Sequence, residues 1–167
     1  EHTDSLKLTP DVKNQRLAVD VNGTRAGLPV TATAYDGKRK VATVSGRSGT
    51  TLQLPVKNPH LWSPDDPHLY RLEVSTGKDR VGSYFGMRDI SVQNVNGTPR
   101  TELNGKPVFM MATLDQGFWP DGLHTAPTDE ALKYDLVQHK NLGFNSVRKH
   151  IKVEPDRWFY WADKLGL

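Results

Sequence analysis

Four side chains in the last third of the sequence have types and settings suited to meeting a ligand. Asp115 and Trp119 lie in the stretch Leu114-Asp115-Gln116-Gly117-Phe118-Trp119-Pro120-Asp121-Gly122. There a carboxylate can accept hydrogen bonds from hydroxyls, and an indole can cover the apolar face of a flat ring. Arg148 and His150 stand two residues apart. The guanidinium carries a rigid fork of donors that suits a carboxylate or a hydroxyl. Packing is the competing role for each: a Trp among Pro and Gly can clasp its own scaffold, and an Arg can knit strand ends together. Metal chemistry lacks its ligands. His124, His139 and His150 do not have metal-site spacing, no acidic run has calcium-loop spacing, and there is no cysteine, so neither a metal nor a cofactor is expected. Asn22-Gly23-Thr24 and Asn96-Gly97-Thr98 match the N-glycosylation pattern, but Asn-Gly is also the commonest hairpin turn signal, and turns explain both.

The elements that must position these residues divide into two kinds. From Ser5 to about Val92 apolar residues alternate with polar ones in short runs broken by Gly, Asn, Asp and Pro. Leu17, Val19 and Val21 form one set, Leu28, Val30, Ala32 and Ala34 a second. Leu52, Leu54 and Val56 form a third, Tyr70, Leu72 and Val74 a fourth, and Val41–Val44 and Val81–Phe85 complete the series. About seven short strands without a convincing helix between them predict an immunoglobulin-like β-sandwich. Trp62 and Tyr70, in a Pro-rich crossing, read as core residues of that sandwich.

Beyond a connecting strand near Arg88–Val92 the pattern changes. Asn104-Gly105 predicts a tight hairpin, and Val108–Ala112 reads as a buried strand. Thr128 is placed to cap a helix with Asp129 and Glu130 in its first turn and Gly143 as its stop. Phe144–Lys149 predicts a short strand. Pro155 suits the first turn of a second helix, whose Trp158, Trp161, Ala162 and Leu165 share one face and which Gly166 ends. Strand, helix, strand, helix at this spacing is a βαβα pattern, and two strands cannot complete the parallel sheet it demands.

Composition narrows the classes. The 167 residues are 36% hydrophobic and 25% charged, with 22 Lys plus Arg against 19 Asp plus Glu. That is ordinary for a globular protein. No block of like charges marks a nucleic-acid arm, and no run of 18 apolar residues marks a membrane span. Without cysteine, redox chemistry fixes no compartment. A start at Glu1-His2-Thr3-Asp4 and an end at Leu165-Gly166-Leu167 read as an internal segment of a longer protein.

Three stretches, Leu61-Trp62-Ser63-Pro64-Asp65-Asp66-Pro67-His68-Leu69-Tyr70, Phe85-Gly86-Met87-Arg88 and Leu103-Asn104-Gly105-Lys106-Pro107-Val108, resemble in order and spacing the domain junction of glycoside hydrolase family 2 enzymes, which include β-galactosidases, β-glucuronidases and β-mannosidases. Asn141-Leu142-Gly143-Phe144-Asn145-Ser146-Val147-Arg148-Lys149-His150 and Trp161-Ala162-Asp163-Lys164-Leu165-Gly166-Leu167 resemble the second strand and second helix of that family's barrel. The resemblance implies a fold that is mainly β plus α/β: an immunoglobulin-like sandwich over residues 1–92, then over 93–167 a linker hairpin and the first two βα units of a truncated (β/α)8 TIM barrel.

It further implies a parent that hydrolyses β-linked terminal sugars by a retaining mechanism with two glutamates, an acid/base after an Asn at strand four and a nucleophile at strand seven. The chain has only Glu1, Glu73, Glu102, Glu130 and Glu154, none preceded by Asn. Both catalytic carboxylates are therefore expected to be absent and the fragment inactive alone, acting as scaffold and one wall of the site. By resemblance Arg148 orients a carboxylate or a substrate hydroxyl. His150 carries over less closely, because many members place their His one position later. Asp115 and Trp119, after the first barrel strand, face the same end. The expected partner is the carbohydrate substrate of the parent, with no nucleic acid and no membrane. Self-association is expected through apolar faces such as that of Trp158, Trp161 and Leu165. Two rivals stand beside this: a stand-alone immunoglobulin-like module that binds carbohydrate or protein, and a family member whose barrel has lost its glutamates.

Overall fold

Alternation decides the first part of the chain. A computed structural model describes all residues, Glu1–Leu167. Seven strands come first: β1 Thr3–Asp11, β2 Arg16–Gly23, β3 Pro29–Asp36, β4 Arg39–Arg47, β5 Thr51–Pro55, β6 Tyr70–Thr76 and β7 Asp79–Phe85. They form a three-stranded sheet in the order β1-β2-β5 and a four-stranded sheet in the order β4-β3-β6-β7, antiparallel throughout. Leu17, Val19, Val21, Leu52 and Leu54 from the first sheet and Val30, Ala32, Ala34, Leu72 and Val74 from the second share one buried cluster with Tyr70, Phe85 and Met87. Every second residue thus buries its side chain between two sheets, and the product is a β-sandwich. At about 25 cal/mol per Å², burial of this kind is the main source of its stability.

Three further strands follow: β8 Ile90–Val95, β9 Thr98–Leu103 and the short β10 Lys106–Pro107. Their turns sit on Asn96-Gly97 and Asn104-Gly105, where all four residues have positive φ, as the sequence predicts for Asn-Gly hairpins. The other Asn-Gly is not a turn. Asn22 and Gly23 continue β2 and pair with Ser5 and Thr3, and the Asn22 amide donates to Ser5 Oγ at 3.1 Å. Pairing with a long β1 extends the strand, and the chain turns later, through Gly27 at φ 79°.

The chain folds as two compact units: residues 1–62 with 68–106, and residues 63–67 with 107–167. The β8–β9 hairpin belongs to the first. In it Trp62 is buried as expected, with its N–H donating to Met87 O at 2.9 Å and the Arg88 guanidinium 4.5 Å from its ring centre.

The second unit holds β11 Ala112–Asp115, α1 Asp129–Asn141, β12 Ser146–Lys149 and α2 Asp156–Leu165. β11 and β12 pair in parallel, Ala112 with Ser146 through Asp115 with Lys149. Thr128 caps α1 by accepting from Ala131 N–H at 3.1 Å, and Gly143 and Gly166 carry the positive φ that ends each helix. Two expectations need correction. The apolar run Val108–Ala112 is not a buried strand: the strand starts only at Ala112, and Phe109, Met110 and Met111 are exposed. This segment runs ahead of the ladder, held by Asn145, whose side chain accepts from Met111 N–H at 2.9 Å and donates to Phe109 O at 2.8 Å. The face of Trp158, Trp161, Ala162 and Leu165 is not left open either. It packs against Leu132 and Leu136 of α1, because two neighbouring crossover helices cover each other's apolar stripes.

Candidate functional site

Strand parity sorts the polar residues at the ends of β11 and β12. Successive side chains of a strand point to opposite faces. Thr113 and Val147 face the helices: Thr113 Oγ1 lies 2.6 Å from His139 Nε2 of α1, and Val147 packs on the helix cluster. Asp115 and Lys149 share their parity and their side. Leu114 and Arg148, paired directly across the ladder, point the other way and are exposed.

On the helix side four charged side chains pair. Lys149 Nζ lies 2.7 Å from Asp115 Oδ2 and 2.5 Å from Glu154 Oε1, and 5.2 Å from the centre of the Trp158 ring. The Glu154 side chain is only 3% exposed, and its other oxygen is 3.3 Å from Lys152 Nζ. Lys152 also donates to the carbonyls of Gly117 at 2.7 Å and His124 at 2.9 Å. The second Asp115 oxygen accepts from Gly117 N–H at 2.7 Å. Burial pushes the Asp115 carboxyl up, but the hydrogen bonds from Lys149 and Gly117 and the Lys149 charge outweigh it, holding the group below the ordinary aspartate value. Two lysines and two carboxylates thus neutralise one another.

Of the four residues singled out by sequence, Asp115 and His150 come together. His150 N–H donates to Asp115 O at 3.0 Å, and its Nδ1 lies 3.1 Å from Gln116 Nε2. Arg148 stands on the exposed face. Trp119 is half-buried against the helix cluster, and it bridges to Leu123 through two backbone hydrogen bonds of 2.8 and 3.1 Å. Sequence reading missed Lys149, Lys152, Glu154 and Gln116. One signal was available: Lys149 follows Val147 at strand spacing, so it had to enter the helix side with a partner. No three His, Asp or Glu side chains converge as metal ligands, and no helix is long and apolar enough to cross a membrane.

Comparison with known proteins places this architecture. Residues 2–88 match the family model described as glycosyl hydrolases family 2. An exo-β-D-glucosaminidase of Amycolatopsis orientalis is 32% identical across the whole chain, and a putative β-glucuronidase of Formosa agariphila is 28% identical over 95% of it. The chain spans only 16% of the length of each of those relatives. Among solved structures, the β-D-glucuronidase of Dictyoglomus thermophilum superposes on 99% of the chain with a TM-score of 0.84 at 19% identity, using 28% of its own length. A Ruminococcus gnavus β-glucuronidase in complex with D-glucuronic acid does so with a TM-score of 0.82 at 20% identity, using 29% of its length. The fold is shared across 99% of the chain with both, and the family pattern itself lies in the sandwich strands. This chain belongs to glycosyl hydrolases family 2.

Proposed function

We propose that this chain is part of a glycosidase acting on β-linked terminal sugars, in which it braces the catalytic domain and supplies one wall of the active site. Residues 1–92 serve as the immunoglobulin-like sandwich, and 93–167 as the linker hairpin and the first two βα units of a (β/α)8 barrel. The observation that carries this is the one-sided dressing of the β11–β12 ladder. Both helices cover one face, while Arg148 is exposed on the other, as the first two strands of a barrel present side chains to its interior.

Arg148 and His150 then meet substrate at the strand ends, and Asp115 and Trp119 shape the wall behind them. The reaction is retaining, with an acid/base and a nucleophile roughly 5 to 5.5 Å apart, neither of them among the five glutamates here. The exposed run Phe109, Met110, Met111 and Leu114 is apolar surface that further barrel elements cover, or a second copy of the chain when they are missing.

Hydrolysis of a panel of aryl β-glycosides by the complete parent, with the anomer of the first-formed sugar read by NMR, tests this. Turnover with retention is expected, and the 167-residue chain alone should give none. An inverted product, or activity in the isolated chain, overturns it.

A further inference from the structure

Ile151 is held in the left-handed region at φ 69°, although its side chain is exposed and makes no core contact that would demand this. A β-branched residue there is a true outlier, since its branched Cβ crowds the backbone, and such a conformation persists only where the surroundings over-determine it. The surroundings are the charged set behind the strand ends. Immediately before Ile151, His150 is tied by its N–H to Asp115 O and by its ring to Gln116. One residue earlier, Lys149 is clamped between Asp115 and Glu154. Just after it, Lys152 is anchored to Glu154 and to two carbonyls of the loop that follows β11. The strained residue is thus the only link between two buried anchors, and the same anchors lock Gly117, itself at φ 66°.

We propose that Lys149 and Glu154 are positioning residues: their buried ion pair forces the strained turn at Ile151 and thereby aims His150 and Arg148 into the active site. This rests on the reading of the open strand face as part of that site. Neither residue reaches substrate; Lys149 has the parity of the helix side, and Glu154 is almost fully buried. Their effect passes through the backbone of 148–151. Behind the wall Asp115, Lys149, Lys152 and Glu154 pair with one another, while the Asp135 carboxyl of α1 lies near Asp115 and is pushed up by burial and by that neighbouring charge.

The test uses the complete parent enzyme with three variants: Lys149→Met, Ile151→Gly and the two combined. Mass-spectrometric hydrogen exchange over 146–154 and steady-state kinetics are both read. Lys149→Met should lose protection in 146–154 alone and raise KM, with kcat/KM falling roughly a hundredfold, as a misplacement of about 1 Å does. The pH–rate profile should stay in place, because the catalytic carboxylates are untouched. Glycine accepts positive φ without strain. In the combined variant the turn no longer needs forcing, so protection and KM should recover toward those of Ile151→Gly.

A merely structural role would lower apparent kcat in step with the folded fraction, leave KM unmoved and give no recovery, and that pattern overturns the proposal. So does unchanged exchange over 146–154 in Lys149→Met. If the unmutated parent hydrolyses no glycoside, the functional reading fails, and the exchange arm still decides whether the ion pair forces the turn.

Discussion

Arg157 grips Asp129 with two parallel hydrogen bonds, Nε to Oδ1 at 2.7 Å and Nη2 to Oδ2 at 2.8 Å, joining the first turn of α2 to the first turn of α1. Trp161 Nε1 donates to the same carboxylate at 2.9 Å. Hydrogen bonds from Arg157 and then Trp161 hold Asp129 down to about 2 from the ordinary 3.8. A depressed carboxyl stabilises the fold above its unfolded value and loses that contribution as acid protonates it. The second unit should therefore lose stability as pH falls from 3.8 to about 2. Asp129→Asn should flatten that limb of a pH series of thermal melts, and an unchanged limb in the variant sinks the assignment.

Leu72 is fully buried at the centre of β6, between the two sheets. Leu72→Ala removes its contacts and leaves a cavity that rigid strands collapse into poorly. A loss of about 2–5 kcal/mol in denaturant unfolding of the chain is expected. A loss below about 1 kcal/mol would mean that the sheets close over the gap.

A Cβ placed on Gly86 would stand 3.2 Å from both Cβ and Cγ of Trp62, whereas one on Gly82 meets nothing within 4 Å. Gly86→Ala must displace a buried indole and should cost about 1–3 kcal/mol. Gly82→Ala, at a site with ordinary φ, should stay within about 0.5 kcal/mol of the parent sequence. Equal midpoints for the two variants in urea would refute the close approach.

Arg148 is exposed on the open face of the ladder. If it bonds substrate, Arg148→Ala in the complete parent should lower kcat/KM roughly tenfold to a hundredfold, the loss expected for one charged hydrogen bond. Its melting temperature should barely move. A variant with wild-type kinetics assigns Arg148 to the surface.

The sandwich was legible because its strands bury one face only, so Leu17, Val19 and Val21 or Tyr70, Leu72 and Val74 announce their direction at every second residue. The second unit was legible in its helices, where Thr128, Gly143 and Gly166 stand at the ends. Its second strand was legible too, since Phe144–Lys149 holds β12 Ser146–Lys149, but its first was not. Phe109, Met110 and Met111 are apolar without being buried, and an apolar run alone cannot say whether it is a strand or only precedes one. The charged set was hidden for a different reason. Asp115, Lys149, Lys152 and Glu154 meet only through the parallel register of β11 and β12; strand spacing after Val147 gives the side that Lys149 faces, but not which carboxylates meet it there.

The edge of the four-stranded sheet has a consequence for crowded solutions. β4 begins Arg39-Lys40 and ends at Arg47, and its ladder with β3 is kinked between Ala34 and Tyr35. Charged ends and a local irregularity deny an incoming strand the flat, neutral row of N–H and C=O groups that fibre growth needs. Two sandwiches meeting at this edge repel before they can pair, so this edge should not template amyloid-like stacking at high concentration.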